Sequence, residues 1–326
     1  MGRATEWVDQ ILADRSPRET WSAIFERLLA LAQDAASPVE LHNQTVPADR
    51  LLAETAWELW ERYSDEAPRT APALIEWWSK PSVSGRAVLV LDALSLRELP
   101  ALLAGARTRK IEPASVRVTG SEAPSETNAF ASALGAQTRS KLENNGAPGG
   151  FALKANGPVF TDVLNLPFQD CLGSVPNDPN VFFWHTWLDD LIHVHQKLPD
   201  QIYKITSEVL QGDGFWSLVN RLRQGRRVLI TADHGYAVSK LFSTEEKDEE
   251  VISVLRETFG ASRCKPAARP WERRFMPPLA MTVGGHHVVV GQRKWKVQGG
   301  FPQVCHGGLS LLEVAVPFVE LPPLNG

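Results

Sequence analysis

Two titratable groups stand side by side in "RRVLITADHGYAVSK" (226–240), where Asp233 and His234 follow a run of apolar residues. A protein interior holds neither a carboxylate nor an imidazole without partners, so this pair asks for a specific counterpart. Comparable groups close or follow other apolar runs. Asp92 ends "RAVLVLD", Asp189 and His193 follow "NVFFWHTW", and His306 lies in "CHGGLS" shortly before the last run. Each has a plain reading by itself. Asp92 or Asp189 could cap a following helix, His193 and His195 could lie on an exposed helical face, and His306 could be a turn residue. His286 and His287 alternate within a hairpin-like segment and stay there. Taken together the plain readings are strained. Three carboxylates at one sheet edge repel, at about 3 kcal/mol per pair for ~5 Å and an effective dielectric near 20. Divalent cations remove that cost, and mixed carboxylate and imidazole ligands suit zinc or manganese. Asp189 and His193 are four residues apart, so on a helix they share a face and can grip one ion.

A nucleophile could come from "TGSEAPSETNAFASALG" (119–135). The strand-like "VRV" ends there, and a helix is expected over about 128–143. A hydroxyl at that junction would meet backbone amides that attract anions. Ser121, Ser125 and Thr127 compete for the role, and N-capping is their shared alternative.

The elements that must position these residues are short apolar runs of the kind that strands buried on both faces present: 86–92, 180–187, 226–233 and 313–321. Helical spacing lies between them, at about 94–104, 128–143, 188–198 and 201–224. Alternating strand and helix predicts an α/β fold, a doubly wound, mostly parallel sheet flanked by helices. Residues 144–180 are rich in Gly, Pro and Asn and read as a long connection. Ahead of the sheet, residues 1–80 show helical periodicity and carry Trp7, Trp21, Trp57, Trp60, Trp77 and Trp78. They are expected to form an N-terminal helical cap or a surface that docks a protein partner. The remainder, 81–326, would be one domain with an insertion at about 236–300. That insertion holds the acidic "STEEKDEE", the basic "RCKPAARPWERR" and an expected hairpin, "MTVGGHHVVVGQ".

Composition narrows the class. Over 326 residues, 34 Lys and Arg stand against 38 Asp and Glu, which disfavours a general nucleic-acid binder. The basic stretch could contact a polyanion, although a solvated loop is its plainer reading. Three cysteines are too few for a disulfide framework. No apolar signal core opens the chain, the myristoylation pattern fails at Glu6, and no run reaches the length that spans a bilayer. A soluble, cytoplasmic protein without membrane contact is expected.

The order of these motifs resembles the PglZ domain, a branch of the alkaline phosphatase superfamily. The resemblance covers about residues 86–321 and rests on "VLVLDALS", "APSETNAFASALG", "WLDDLIH", "ITADHG" and "HGGLSLLEVAVPFVEL". It implies an alkaline-phosphatase-like fold and two divalent metal ions, zinc or manganese. One would be held by Asp92, Thr127, Asp233 and His234, the other by Asp189, His193 and His306. Thr127 falls at the family's nucleophile position, ahead of Ser125, and Asn128 beside it could donate to a phosphoryl oxygen. The implied activity is phosphoric ester hydrolysis, on a monoester or a diester. The family's association with multi-protein phage-defence systems implies protein partners, and with them an alternative, a non-catalytic metal-stabilised scaffold. Two positions depart from the pattern. Ala93 stands where Asp-Gly is common, and Ile192 replaces a glycine seen in many relatives.

Overall fold

The structure is a computed structural model that describes residues 2–13, 15–195, 198–242, 244–272, 274–297 and 304–324. The end of the expected 188–198 helix (Gln196 and Lys197), Ser243 of the acidic run, Arg273 of the basic stretch and residues 298–300 of the insertion lie outside these.

The apolar runs become strands β1 (Gly85–Leu91), β2 (Ser115–Gly120), β3 (Phe160–Leu164), β4 (Asn180–His185) and β5 (Arg226–Thr231), with a last strand at Ala315–Leu321. Their spatial order is β2, the last strand, β5, β1, β4, β3. β1 pairs in parallel with β4 and β5, and β3 pairs in parallel with β4. β1 alternates between two buried clusters: Leu89 and Leu91 face one, Val88 and Val90 the other. Both sheet faces are therefore covered, which explains runs without polar alternation. The fold is an α/β one with a mostly parallel sheet flanked by helices.

Before the sheet come helices α1 (Gly2–Ile11), α2 (Pro17–Asp34), α3 (Pro38–Glu54), α4 (Glu58–Glu66) and α5 (Thr70–Ser79). Ser16 and Glu19 form a capping box that starts α2. Five of the six tryptophans expected here are buried, and Trp57 is half-buried. Trp21 packs at an angle against Trp60 and edge-on against Tyr63 in the same apolar cluster as β1 and β5, while Trp77 and Trp78 cover the opposite face. The aromatic stripe is core, so a docked partner would have to use other side chains.

Four expectations need correction. First, the helix expected over 128–143 is seven residues long, Thr127–Ala133, and gives way at Leu134 and Gly135 to a separate 3-10 segment, Arg139–Asn145. A helix so short offers little dipole to an anion. Second, the connection 144–180 contains β3, an edge strand whose "FTDVL" is only partly buried. Third, the last strand starts at Ala315 and runs antiparallel to both β2 and β5. The expected helix 201–224 is also two helices, Pro199–Gln211 and Asp213–Arg223, divided at Gly212.

In the insertion, helix Glu249–Phe259 precedes a small sheet made of Cys264–Pro266, Ala280–Val283 and His286–Val289. The expected hairpin turns at Gly284 and Gly285, both at positive φ, where a side chain would be strained. Its histidines are engaged locally: His286 Nδ1 lies 2.9 Å from the Gly284 carbonyl, and His287 Nδ1 lies 3.0 Å from Thr282 Oγ1. Cys171, Cys264 and Cys305 form no disulfide. Among the described residues no helix is long and apolar enough to cross a membrane.

Candidate metal centre and nucleophile

β1 and β5 end side by side, because Val90 is in register with Thr231. Two residues further on, Asp92 and Asp233 therefore emerge together at the carboxyl edge of the sheet, where ligands of open α/β sheets bind. Asp92 caps no helix; the following helical turn is capped by Ser95 instead. Ala93 takes φ +63, a left-handed conformation that favours glycine, and its N–H donates to Asp233 Oδ1 at 3.0 Å. The backbone turns sharply here to reach the second carboxylate.

Asp92, Asp233 and His234 are fully buried and form one group whose ligand atoms lie within 4.8 Å of one another. His234 Nε2 is 3.7 Å from Asp92 Oδ1 and 3.4 Å from Asp233 Oδ2. Its Nδ1–H donates to the Gly235 carbonyl at 2.9 Å, which leaves the Nε2 lone pair facing the carboxylates. Thr127 Oγ1 lies 3.4 Å from Asp92 Oδ1 and 3.3 Å from His234 Nε2. The competing hydroxyls are consumed elsewhere. Ser121 donates to the Glu122 carbonyl, and Ser125 donates to the Gly308 carbonyl while accepting from Gly307 N–H. Only Thr127 of the three turns to the acids.

β4 delivers the second group. It leads into helix Trp187–Val194, which sets Asp189 and His193 on one face, with His193 Nε2 3.4 Å from Asp189 Oδ2. His306 joins them, its Nε2 3.9 Å from Asp189 Oδ1, and these three also lie within 4.8 Å of one another. The antiparallel last strand explains how His306 arrives: that strand begins at the edge where the others end. The His234 and His306 rings stack at 4.5 Å, so the two groups adjoin. All seven residues expected as ligands thus gather at one edge. Asn128, expected beside the nucleophile, lines the neighbouring cavity.

The charges in these groups are poorly matched by the protein itself. Burial and the charge of Asp233 push the Asp92 carboxyl well above its ordinary range. Burial likewise lifts Asp233 to about 6 against the hydrogen bond from Ala93. Burial and His306 lower His234. Asp233 Oδ2 and Asp189 Oδ1 are buried without a hydrogen-bond donor. Unpaired acceptors of this kind cost a buried site dearly, and a borderline divalent cation fits both the two carboxylates and one imidazole of the first group and the one carboxylate and two imidazoles of the second. The residues present therefore suit a divalent ion in each group.

Four contributors were not singled out from the sequence. Glu126 Oε1 lies 3.2 Å from His306 Nδ1. Burial would raise Glu126, but the hydrogen bond and charge of His306 hold it down to about 2. In turn, burial would lower His306, but Glu126 and Asp189 hold it up to about 9. Gly307 at φ +96 is required here, since a Cβ would meet Glu126 Oε1 at 2.5 Å. The Trp184 indole donates to Asp92 Oδ2 at 3.1 Å, and Arg139 pairs with the same oxygen. Glu126 adjoins Thr127 in sequence, which is the one signal that could have found it. Next to Thr127 opens a cavity of about 630 Å³, lined mainly by polar residues including Asn128, Arg139, Asp162 and Asp190.

No protein-family model matches this chain, and no curated protein matches it. Solved structures are similar to it at low identity. One is phosphonoacetate hydrolase from Sinorhizobium meliloti 1021 in complex with phosphonoacetate, with 14% identity over 74% of this chain and 90% of that one, at a TM-score of 0.39. Another is murine ectonucleotide pyrophosphatase/phosphodiesterase 5, with 12% identity over 73% of this chain and 88% of that one, at a TM-score of 0.43. An inactive form of the murine protein in complex with AMP gives 12% identity, coverages of 74% and 88%, and the same score of 0.43.

Proposed function

We propose that this chain is a metal-dependent phosphoric ester hydrolase that uses Thr127 as nucleophile and two divalent cations, zinc or manganese. The observation that carries the reading is the placement of Thr127 Oγ1, 3.4 Å from Asp92 and 3.3 Å from His234, within one of two adjoining carboxylate–imidazole groups. The motif order, which resembles that of PglZ domains, agrees with it. Asp92, Thr127, Asp233 and His234 would hold one ion and Asp189, His193 and His306 the other. Such ions, when bound, lower the pKa of a hydroxyl or water and offset charge on the oxygens of an in-line displacement.

The chain's own groups do the rest. Thr127 Oγ1 gives its proton to solvent and attacks phosphorus; the bond from phosphorus to the ester oxygen breaks, and that oxygen leaves as the alcohol after taking a proton from solvent. Water then cleaves the phosphothreonine and restores the hydroxyl, releasing phosphate where the substrate was a monoester and a monoester where it was a diester. His234, tethered through Nδ1 to Gly235, keeps its Nε2 fixed beside Thr127. Asn128 would donate to a phosphoryl oxygen from the cavity wall. A cytoplasmic setting agrees with three unpaired cysteines. Membership of a phage-defence assembly rests on the PglZ resemblance alone.

Thr127→Ala should cut turnover of a nitrophenyl phosphodiester or monoester, with zinc or manganese present, by about 10³-fold or more while the fold persists. Undiminished turnover in that variant refutes the nucleophile. Stoichiometric metal with no turnover of any ester by the unaltered chain would favour the scaffold instead.

A further inference from the structure

We propose that Arg139 is the side chain with which this protein grips the phosphoryl group, an inference that rests on the hydrolase reading above. Arg139 and Thr127 converge on one carboxylate from its two oxygens. Thr127 Oγ1 approaches Asp92 Oδ1, and the Arg139 guanidinium pairs with Asp92 Oδ2. Both side chains also line the same cavity, so a phosphoryl group brought to Thr127 Oγ1 enters a space that Arg139 shares.

The two oxygens of Asp92 also divide the work. Oδ1 faces His234 at 3.7 Å, inside the carboxylate–imidazole group. Oδ2 is held outside it by the Trp184 indole at 3.1 Å and by Arg139. A cation on the Oδ1 side and a guanidinium on the Oδ2 side can then share one carboxylate. Asp92 is fully buried and cannot turn away, so it aims the arginine as well as serving as a ligand.

Arg139 is the one cationic residue among those lining the cavity of about 630 Å³ beside Thr127. Its side chain is 29% exposed, enough to meet a ligand from solvent. Asp92 engages one end of its fork, and the remaining N–H donors suit two oxygens of a phosphate, for which the planar guanidinium is shaped. The ligand class is a phosphate dianion, whether free or as the head of a monoester. A diester, with a single charge and two non-bridging oxygens, would gain less. Arg139 sits at the start of the 3-10 segment Arg139–Asn145, so that segment acts as a wall of the site.

The test is calorimetric binding of inorganic phosphate to the full chain loaded with zinc or manganese. Arg139→Ala should weaken phosphate roughly 10- to 100-fold, the worth of charge-assisted hydrogen bonds, with cation stoichiometry unchanged. Arg139→Lys should recover part of that loss, because it restores the charge but not the fork. In turnover, the Arg139→Ala loss should be greater for a nitrophenyl monoester than for the diester. Phosphate affinity equal in wild type and Arg139→Ala overturns the proposal, as does loss of a cation on substitution, which would make Arg139 a support of the metal site. Phosphate binding that depends on Arg139, in a chain that turns over no ester, supports the grip and sinks the hydrolase reading separately.

Discussion

The carboxylate of Glu126 fixes which nitrogen of His306 looks at Asp189. Held 3.2 Å from Nδ1, it keeps that side protonated and turns Nε2 towards the ligand group, the arrangement by which outer carboxylates orient metal-binding imidazoles. It also makes His306 basic, at about 9. A histidine must be neutral to bind a cation. Near neutral pH, cation binding at Asp189, His193 and His306 should therefore expel a proton from His306. Titration in buffers of different ionisation enthalpy should count about one proton. In Glu126→Gln, where the raising charge is gone, that count should fall. An unchanged count would mean that His306 carries no excess proton, and the pairing with Glu126 would lose its significance. At this scale the sequence was informative where chemistry and position coincided. Asp92, Asp233 and His234 announce themselves at the ends of apolar runs, whereas Ser121, Ser125 and Thr127 look alike until their hydrogen bonds are seen. Arg139 was not legible at all, because 47 residues separate it from Asp92 and only folding closes that distance.

Among the elements, the loop before the last strand matters most. It delivers His306 and is anchored from two sides. Asp49, on α3, accepts the Leu311 N–H at 2.7 Å and the Gln292 amide at 2.6 Å. Arg263, from the insertion, forms a buried pair with Glu313 at 2.7 Å. The N-terminal helices and the insertion thus hold one segment of the site between them. Burial raises Asp49 from 3.8 to about 7, despite its hydrogen bonds to Leu311 and Gln292. Between those values the folded chain binds a proton that the unfolded chain releases, so Asp49 costs stability as pH rises from 3.8 to about 7. Asp49→Asn removes this cost, and the Gln292 amide can reverse to suit it, since its oxygen has no partner. Between roughly pH 5 and 7 the variant should gain about 2 kcal/mol relative to wild type in denaturant unfolding. A difference that does not change with pH would show Asp49 ionised throughout. Element types were legible for β1, β4 and β5, where apolar runs are continuous. β3 was hidden because a five-residue edge strand carrying Asp162 has no strong pattern. The direction of the last strand was hidden too, since burial on both faces looks the same for either orientation.

For the molecule as a whole, the sheet explains how a site can be drawn from residues 92 to 306. Parallel strands deliver Asp92, Asp189 and Asp233 at their ends, and the one antiparallel strand delivers His306 at its beginning. The helices of the first 80 residues complete the apolar cover of both sheet faces, with Trp21 and Trp60 on one and Trp78 on the other. Composition foresaw mixed charge, and it could say nothing of how the two carboxylate–imidazole groups adjoin. That adjacency is the central claim, and crystals of the full chain grown with zinc test it directly through anomalous scattering at the zinc edge. The account predicts two peaks per chain at about 2.0–2.2 Å from their ligands. One should lie among Asp92, Thr127, Asp233 and His234, the other among Asp189, His193 and His306. A single peak, or peaks lying instead on the hairpin histidines or the cysteines, would contradict it.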